Sequence, residues 1–110
     1  MAQTKQVVLT TTMKASGAVV AKRFVNFAGA QAKAGEAVFG VSPYDVAADD
    51  LAAVEVVGIA IVEAGGAVAV GASVAADAQG CAVTGTAKVA GTALSAAGAA
   101  GDEIRVLLKG

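Results

Sequence analysis

Histidine is absent from all 110 residues, and with it go the Ser-His and Cys-His pairs of nucleophilic catalysis and the commonest zinc ligand. A single cysteine, Cys81, excludes an internal disulfide, so the fold needs no oxidising compartment. A nucleophilic thiol needs a base or a metal to lower its pKa, and Cys81 is read instead as a small, buried or half-buried strand residue. Tryptophan is missing and Tyr44 is the single tyrosine, which leaves few aromatic platforms for a sugar. Nine acids against eight bases give a net charge of −1, too little positive charge for a duplex-binding surface. No apolar run reaches about 18 residues without a charge or several glycines, and no basic start precedes a short apolar block, so neither a membrane span nor a cleaved leader is expected. General bases are limited to scattered carboxylates. The expectation is a protein that is not an enzyme, with no catalytic residues, no cofactor and no metal, and with neither nucleic acid nor membrane as partner.

What is present is alanine, valine and glycine. Hydrophobic residues make up 56% of the chain but aromatics only 4%. A buried alanine methyl is worth about one CH2, near 0.8 kcal/mol, against roughly 1.5 to 3 kcal/mol for a buried valine or leucine. A chain of this length buries only about two thirds of its unfolded surface. The core of this one domain, spanning 1–110, is therefore modest, and packing partners outside the chain are expected.

The sequence also repeats itself. Residues 8 to 25, VLTTTMKASGAVVAKRFV, align without a gap on residues 57 to 74, VGIAIVEAGGAVAVGASV, at an offset of 49. Gly40 to Val56 resembles Gly91 to Val106 more loosely, with the offset drifting by about two, as loop insertions allow. The expected organisation is two units, about 8–56 and 57–108, folded on each other, with 1–7 as a candidate N-terminal arm. Two units are too few for a solenoid, which needs about three or more.

Strand signals dominate. Gln6 to Met13 is rich in β-branched residues and free of glycine and proline. Arg23 to Phe27, Ala37 to Val41, Val54 to Glu63, Ala87 to Leu94 and Glu103 to Lys109 follow, separated by Gly, Asp and Ala turns. Val54 to Glu63 is apolar on both faces and so fits a central or interfacial strand. Alanine-rich Val46 to Ala53 admits one short helical turn by propensity. The fold class expected is all-β, a small sandwich or barrel-like domain with at most one short helix.

Several small motifs bear on chemistry. Met13-Lys14 is similar to the modified lysine of biotinyl and lipoyl carrier domains, but there the lysine sits at a hairpin tip midway along the chain. Asp45, Asp49 and Asp50 lack the alternating ligands of a calcium loop. Ala64-Gly65-Gly66 has no following lysine and serine, so it is no phosphate cradle. Pro43-Tyr44 lies in the longest irregular segment, where the ring either anchors a contact or covers the protein's own core. Residues 1 to 35 carry five bases and no acid. Either the signs mix once the chain folds, or a basic edge meets an acidic edge on a neighbour and steers assembly.

Gly58-Ile59-Ala60-Ile61-Val62-Glu63-Ala64-Gly65-Gly66-Ala67-Val68, followed by Asp77-Ala78-Gln79-Gly80-Cys81-Ala82-Val83, Gly91-Thr92-Ala93-Leu94, Gly101-Asp102 and Ile104-Arg105-Val106-Leu107-Leu108, resembles the DUF2190 family of bacteriophage capsid cement proteins. Arg23-Phe24-Val25 and Phe39-Gly40-Val41 fit the same pattern. The resemblance implies a small all-β protein, made in the host bacterial cytoplasm, that decorates the outer surface of a tailed-phage head. Its implied partners are the major capsid protein of an HK97-like shell and neighbouring copies of itself, in a homotrimer or homodimer. Candidate interface residues are Ala2, Gln3, Thr4 and Lys5 in the arm, with Pro43 and Tyr44 in the loop. The alternatives are a β-structured tail or surface binding module, and, further off, a biotinyl- or lipoyl-like carrier.

Overall fold

The computed structural model describes residues 6–108. Eight strands follow one another: β1 (Gln6–Lys14), β2 (Arg23–Asn26), β3 (Val38–Ser42), β4 (Leu51–Glu63), β5 (Ser73–Ala76), β6 (Ala82–Thr84), β7 (Gly91–Ala93) and β8 (Glu103–Leu108). They form one antiparallel sheet in the order β2-β3-β4-β8-β7-β5-β6, with β1 added against β4, and the sheet nearly closes into a barrel. The domain is all-β.

The long β4 organises the sheet. Its first part pairs with β1, from Lys14 opposite Leu51 to Gln6 opposite Ile59. Its second part pairs with β8, from Glu63 opposite Glu103 to Gly58 opposite Leu108. β3 meets β4 at Val41 and Glu55. Gly58, where the two ladders overlap, has a φ of +117° and lies against the backbone of Gln6, Val7 and Val8. A side chain there would strain the backbone at this irregularity of the β1–β4 ladder and strike the neighbouring strand. The position therefore requires glycine.

Hydrogen bonds recur along the chain at offsets of 49 to 52 residues. Ala15 N donates to Asp50 O at 2.9 Å and Ala64 N to Asp102 O at 2.7 Å. Asp49 N reaches Ala15 O, and Gly101 N reaches Ala64 O. The isolated bridge Val19 to Val46 is matched by Val68 to Ala97. In the ladders, Phe24 faces Val41 as Ser73 faces Thr92.

The core is small-residue and aliphatic. Phe24, Val41, Ala60, Val62, Val74, Ile104 and Val106 are buried in one cluster that draws on both halves of the chain. Ser42, also buried, satisfies its hydroxyl by donating to Tyr44 O at 2.7 Å.

Three expectations change. Val46 to Ala53 forms no helical turn: Val46 bridges to Val19, Asp49 turns left-handed at φ 71°, and the chain enters β4 at Leu51. Pairing with β1 outweighs alanine's helix preference here. The strand expected over 87–94 shortens to Gly91–Ala93, and Lys88 sits left-handed at φ 52°. Two strands went unforeseen, β5 and β6. The last strand's inward Ile104, Val106 and Leu108 are buried as the alternation predicts.

Candidate interaction surface

Among the residues singled out from sequence, Pro43 and Tyr44 sit just beyond β3. Tyr44 is 63% exposed, so it stands at the surface rather than in the core. The loop that carries it is held from behind: Ala21 N donates to Asp45 Oδ1 at 2.8 Å, and Val19 and Val46 exchange two backbone bonds. A fixed loop presenting an amphipathic ring can form a contact at low entropic cost. Ala2, Gln3, Thr4 and Lys5 lie outside the described residues.

A second exposed ring was not foreseen. Phe27, the residue after β2, is 64% exposed and rests at 55° on Phe39 with ring centroids 5.2 Å apart. Beside it a shallow hollow is lined by Asn26, Phe27, Ala28, Glu36 and Ala37. Glu36 braces this edge by accepting from Lys33 N at 2.7 Å and from Asn26 Nδ2 at 3.2 Å. Its pKa is lowered, first by the Lys33 amide and then by Asn26. The stability gained there is present above the unfolded carboxylate range and is lost as pH falls through the lowered folded value. Phe27 lay in an expected strand with nothing in sequence to mark its outward direction.

Further apolar side chains stand in the open on β1 and at the start of β4, with Val8 77% and Leu51 73% exposed. Leu9, Val70 and Leu107 are exposed as well. Exposed apolar groups that gather into patches mark binding surfaces.

The remaining motifs resolve structurally. Asp77 Oδ1 accepts from Gln79 N and Cys81 N, closing the 77–81 turn. Cys81 is buried and its pKa is raised, chiefly by burial, which favours the protonated thiol over the nucleophilic thiolate. Asp45, Asp49 and Asp50 form no metal-holding cluster among the described residues. Lys14 ends β1 rather than capping a hairpin. Basic and acidic segments meet across the fold, Lys22 with Glu103 at 2.8 Å and Arg23 with Glu63 at 3.2 Å.

No curated protein matches the chain. Among solved structures it is similar to the N base of the head fiber gp8.5 of bacteriophage phi29, with a TM-score of 0.76 and 22% sequence identity over 92% of this chain and 93% of that one. That likeness establishes a shared fold. The family model described as phage cement protein matches residues 2–108. Nearly the whole chain is covered, and the all-β domain with its exposed apolar side chains belongs to the phage cement protein family, as a structural protein of the phage head.

Proposed function

We propose that the protein is a decoration protein, bound to the outer surface of a tailed-phage head, where it reinforces the joints between major capsid protein subunits of an HK97-like shell. The observation that carries this reading is the cement-family match over residues 2–108. Its chemistry is that of contact rather than turnover. A standard interface buries about 800 Å² per partner, and many identical contacts across a lattice gain avidity that no single contact has. Tyr44 on its braced loop and the arm Ala2 to Lys5 are the proposed points of attachment, and neighbouring copies touch as a homotrimer or homodimer. Synthesis in the host cytoplasm precedes docking on the head.

The test mixes the purified protein with heads of its phage, emptied and full, and follows what sediments. Binding with a higher temperature of head rupture is the expected outcome. Deleting residues 2 to 5, and separately Tyr44→Ala, should each lower occupancy. A protein that stays in the supernatant with both kinds of head overturns the proposal.

A second reading rests on the shared fold with a head-fiber base: the domain seats a projecting appendage on the shell. Electron microscopy of decorated heads separates the two. Density confined to the shell surface supports cement, and density rising from it supports a seat.

A further inference from the structure

Beyond the β1–β4 ladder, the two halves of the chain meet along a seam to which each contributes a different side. From the first half, Lys22 O accepts from Glu63 N at 2.9 Å, and Phe24 N donates to Gly80 O at 2.8 Å. Arg23 reaches the Glu63 carboxylate and Gln79 O, and Lys22 reaches Glu103. Shifted by the chain's own offsets, the second half's side of the seam corresponds to Lys14, the Gly29 turn and Leu51. The first half's side corresponds to Gly71, Ala72 and Ser73. No backbone bond joins Lys14 to Gly71, or Ser73 to Gly29, among the described residues. The seam is directional, one side against a different side, and each half has an unused side left over.

Burial marks both unused sides. Phe24, Gly40, Val41 and Glu55 are buried in the first half. Their counterparts Ser73, Gly91, Thr92 and Leu107 line an open cleft of about 370 Å³, with Leu107 47% exposed. Conversely Ala60 and Val62 are fully buried in the second half, whereas their counterparts Thr11 and Met13 on β1 are only half-buried. Among the described residues β1 pairs with β4 alone, which leaves its other edge without a ladder. Ala15 bonds toward the β4 side, so by the alternation of an antiparallel strand the amides of Lys14 and Thr12 point away from it.

We propose that these two unused sides meet in a second copy of this chain, the cleft of one receiving the β1 edge of the next, so that the seam inside the chain is repeated between chains. The occupant is argued from continuity: one copy carries both complementary sides, and the same backbone pairing already exists once within it. The side chains fit the repeat. Where Lys22 and Glu103 pair inside the chain, the corresponding positions between chains hold Gly71, next to exposed Val70, and exposed Leu51. An ion pair is thereby exchanged for an apolar contact. Lys14 N would donate to Gly71 O of the neighbour. A one-way contact of this kind closes into a ring when its rotation allows and otherwise runs on as a filament. Three copies closing would give a ring of six similar units.

This inference deepens the self-contact in the reading above, and its test uses no capsid, so each can fail while the other stands. Sedimentation velocity is measured on the full chain from about 5 to about 200 μM, where modest interfaces populate. Leu107→Arg blocks the cleft, and Lys14→Pro removes the edge amide from a position where proline leaves the sheet intact. The wild type should associate and each variant should lose that association. An equimolar mixture of the two should form a one-to-one dimer and nothing larger, because one good cleft and one good edge remain. A monomeric wild type across the range, variants that associate as the wild type does, or a mixture that stays monomeric overturns the proposal. Far-UV circular dichroism checks the fold of each variant, with Thr92→Arg and Thr12→Pro as replacements should either fail to fold.

Discussion

At Phe24 and Val41 the first half of the chain sets two buried apolar side chains across β2 and β3. At Ser73 and Thr92 the second half sets two hydroxyl residues across β5 and β7, at the same place in the ladder, and Ser73 is exposed. The backbone treats the positions alike, but their surroundings do not: Phe24 lies against the other half, whereas Ser73 opens on a cleft. Sequence has followed surroundings. In so thin a domain, burial depends on what lies against a face more than on the strand that carries it.

Substitution at the matched pair gives the largest contrast. Phe24→Ala removes the largest fully buried side chain and should cost about 4 kcal/mol, the usual range for a buried aromatic truncated in a core. Ser73→Ala should cost under about 0.5 kcal/mol, as exposed substitutions do. Urea unfolding of both variants measures the difference. Equal losses would break the comparison, because they would mean that Ser73 is as enclosed as Phe24.

The glycines test the opposite claim, that the backbone itself is alike. A Cβ on Gly40 would fall on Glu55 O and Val54 Cγ1, and one on Gly91 on Leu107 O and Val106 Cγ1. In both places a backbone oxygen of the next strand is the obstacle, and it cannot rotate aside. Gly40→Ala and Gly91→Ala should each cost about 3 kcal/mol, the upper part of the range for overpacking. A loss at one and not the other would show that the two ladders differ in spacing.

The seam between halves comes next in size. Arg23 is largely buried there, with Nη2 3.2 Å from Glu63 and Nη1 3.0 Å from Gln79 O, and its buried Nε has no partner among the described residues. Arg23→Ala should cost about 2 kcal/mol, since it removes the guanidinium from the part-buried Glu63 carboxylate and its stem from the seam, while Gln79 O keeps the Gln31 Nε2 donor at 2.6 Å. Arg23→Met, which keeps the apolar stem, should recover part of that loss. The corresponding residue, Ala72, has no such duty.

These contrasts also explain what could be read from sequence. β1 was legible because its threonines and valines have one strong preference, and β8 because its alternation is clean. The N-terminal part of β4 was not, because Leu51-Ala52-Ala53 suits a helix as well as a strand and only pairing with β1 decides. β5 and β6 were hidden because they are only four and three residues long, Ser73-Val74-Ala75-Ala76 and Ala82-Val83-Thr84, too short to show an alternation. At the surface, the irregular loop at Pro43-Tyr44 was legible from its proline, but whether the ring faced outward or inward was not, and its 63% exposure decides that. Leu107 and Phe27 were not legible, because an apolar residue within a strand reads as core until the missing neighbour is known.

The smallest effects concern two turns that lead into β4 and β8. Asp49 takes φ 71° and Gly101 takes φ 96°, and each donates its amide back to an alanine carbonyl, at 2.7 Å to Ala15 and 2.9 Å to Ala64. Aspartate tolerates the left-handed region better than most residues, but at a cost of up to about 1 kcal/mol, which glycine avoids while losing more chain entropy on folding. Asp49→Gly should therefore stabilise the domain slightly, by about 0.5 kcal/mol. Gly101→Asp asks an L residue to hold a φ beyond the left-handed minimum near +60° and should destabilise by about 1 kcal/mol. Thermal unfolding of the two variants resolves the signs. If Gly101→Asp is neutral, the second turn relaxes toward the conformation of the first, and the turns before β4 and β8 are closer in geometry than their dihedral angles suggest.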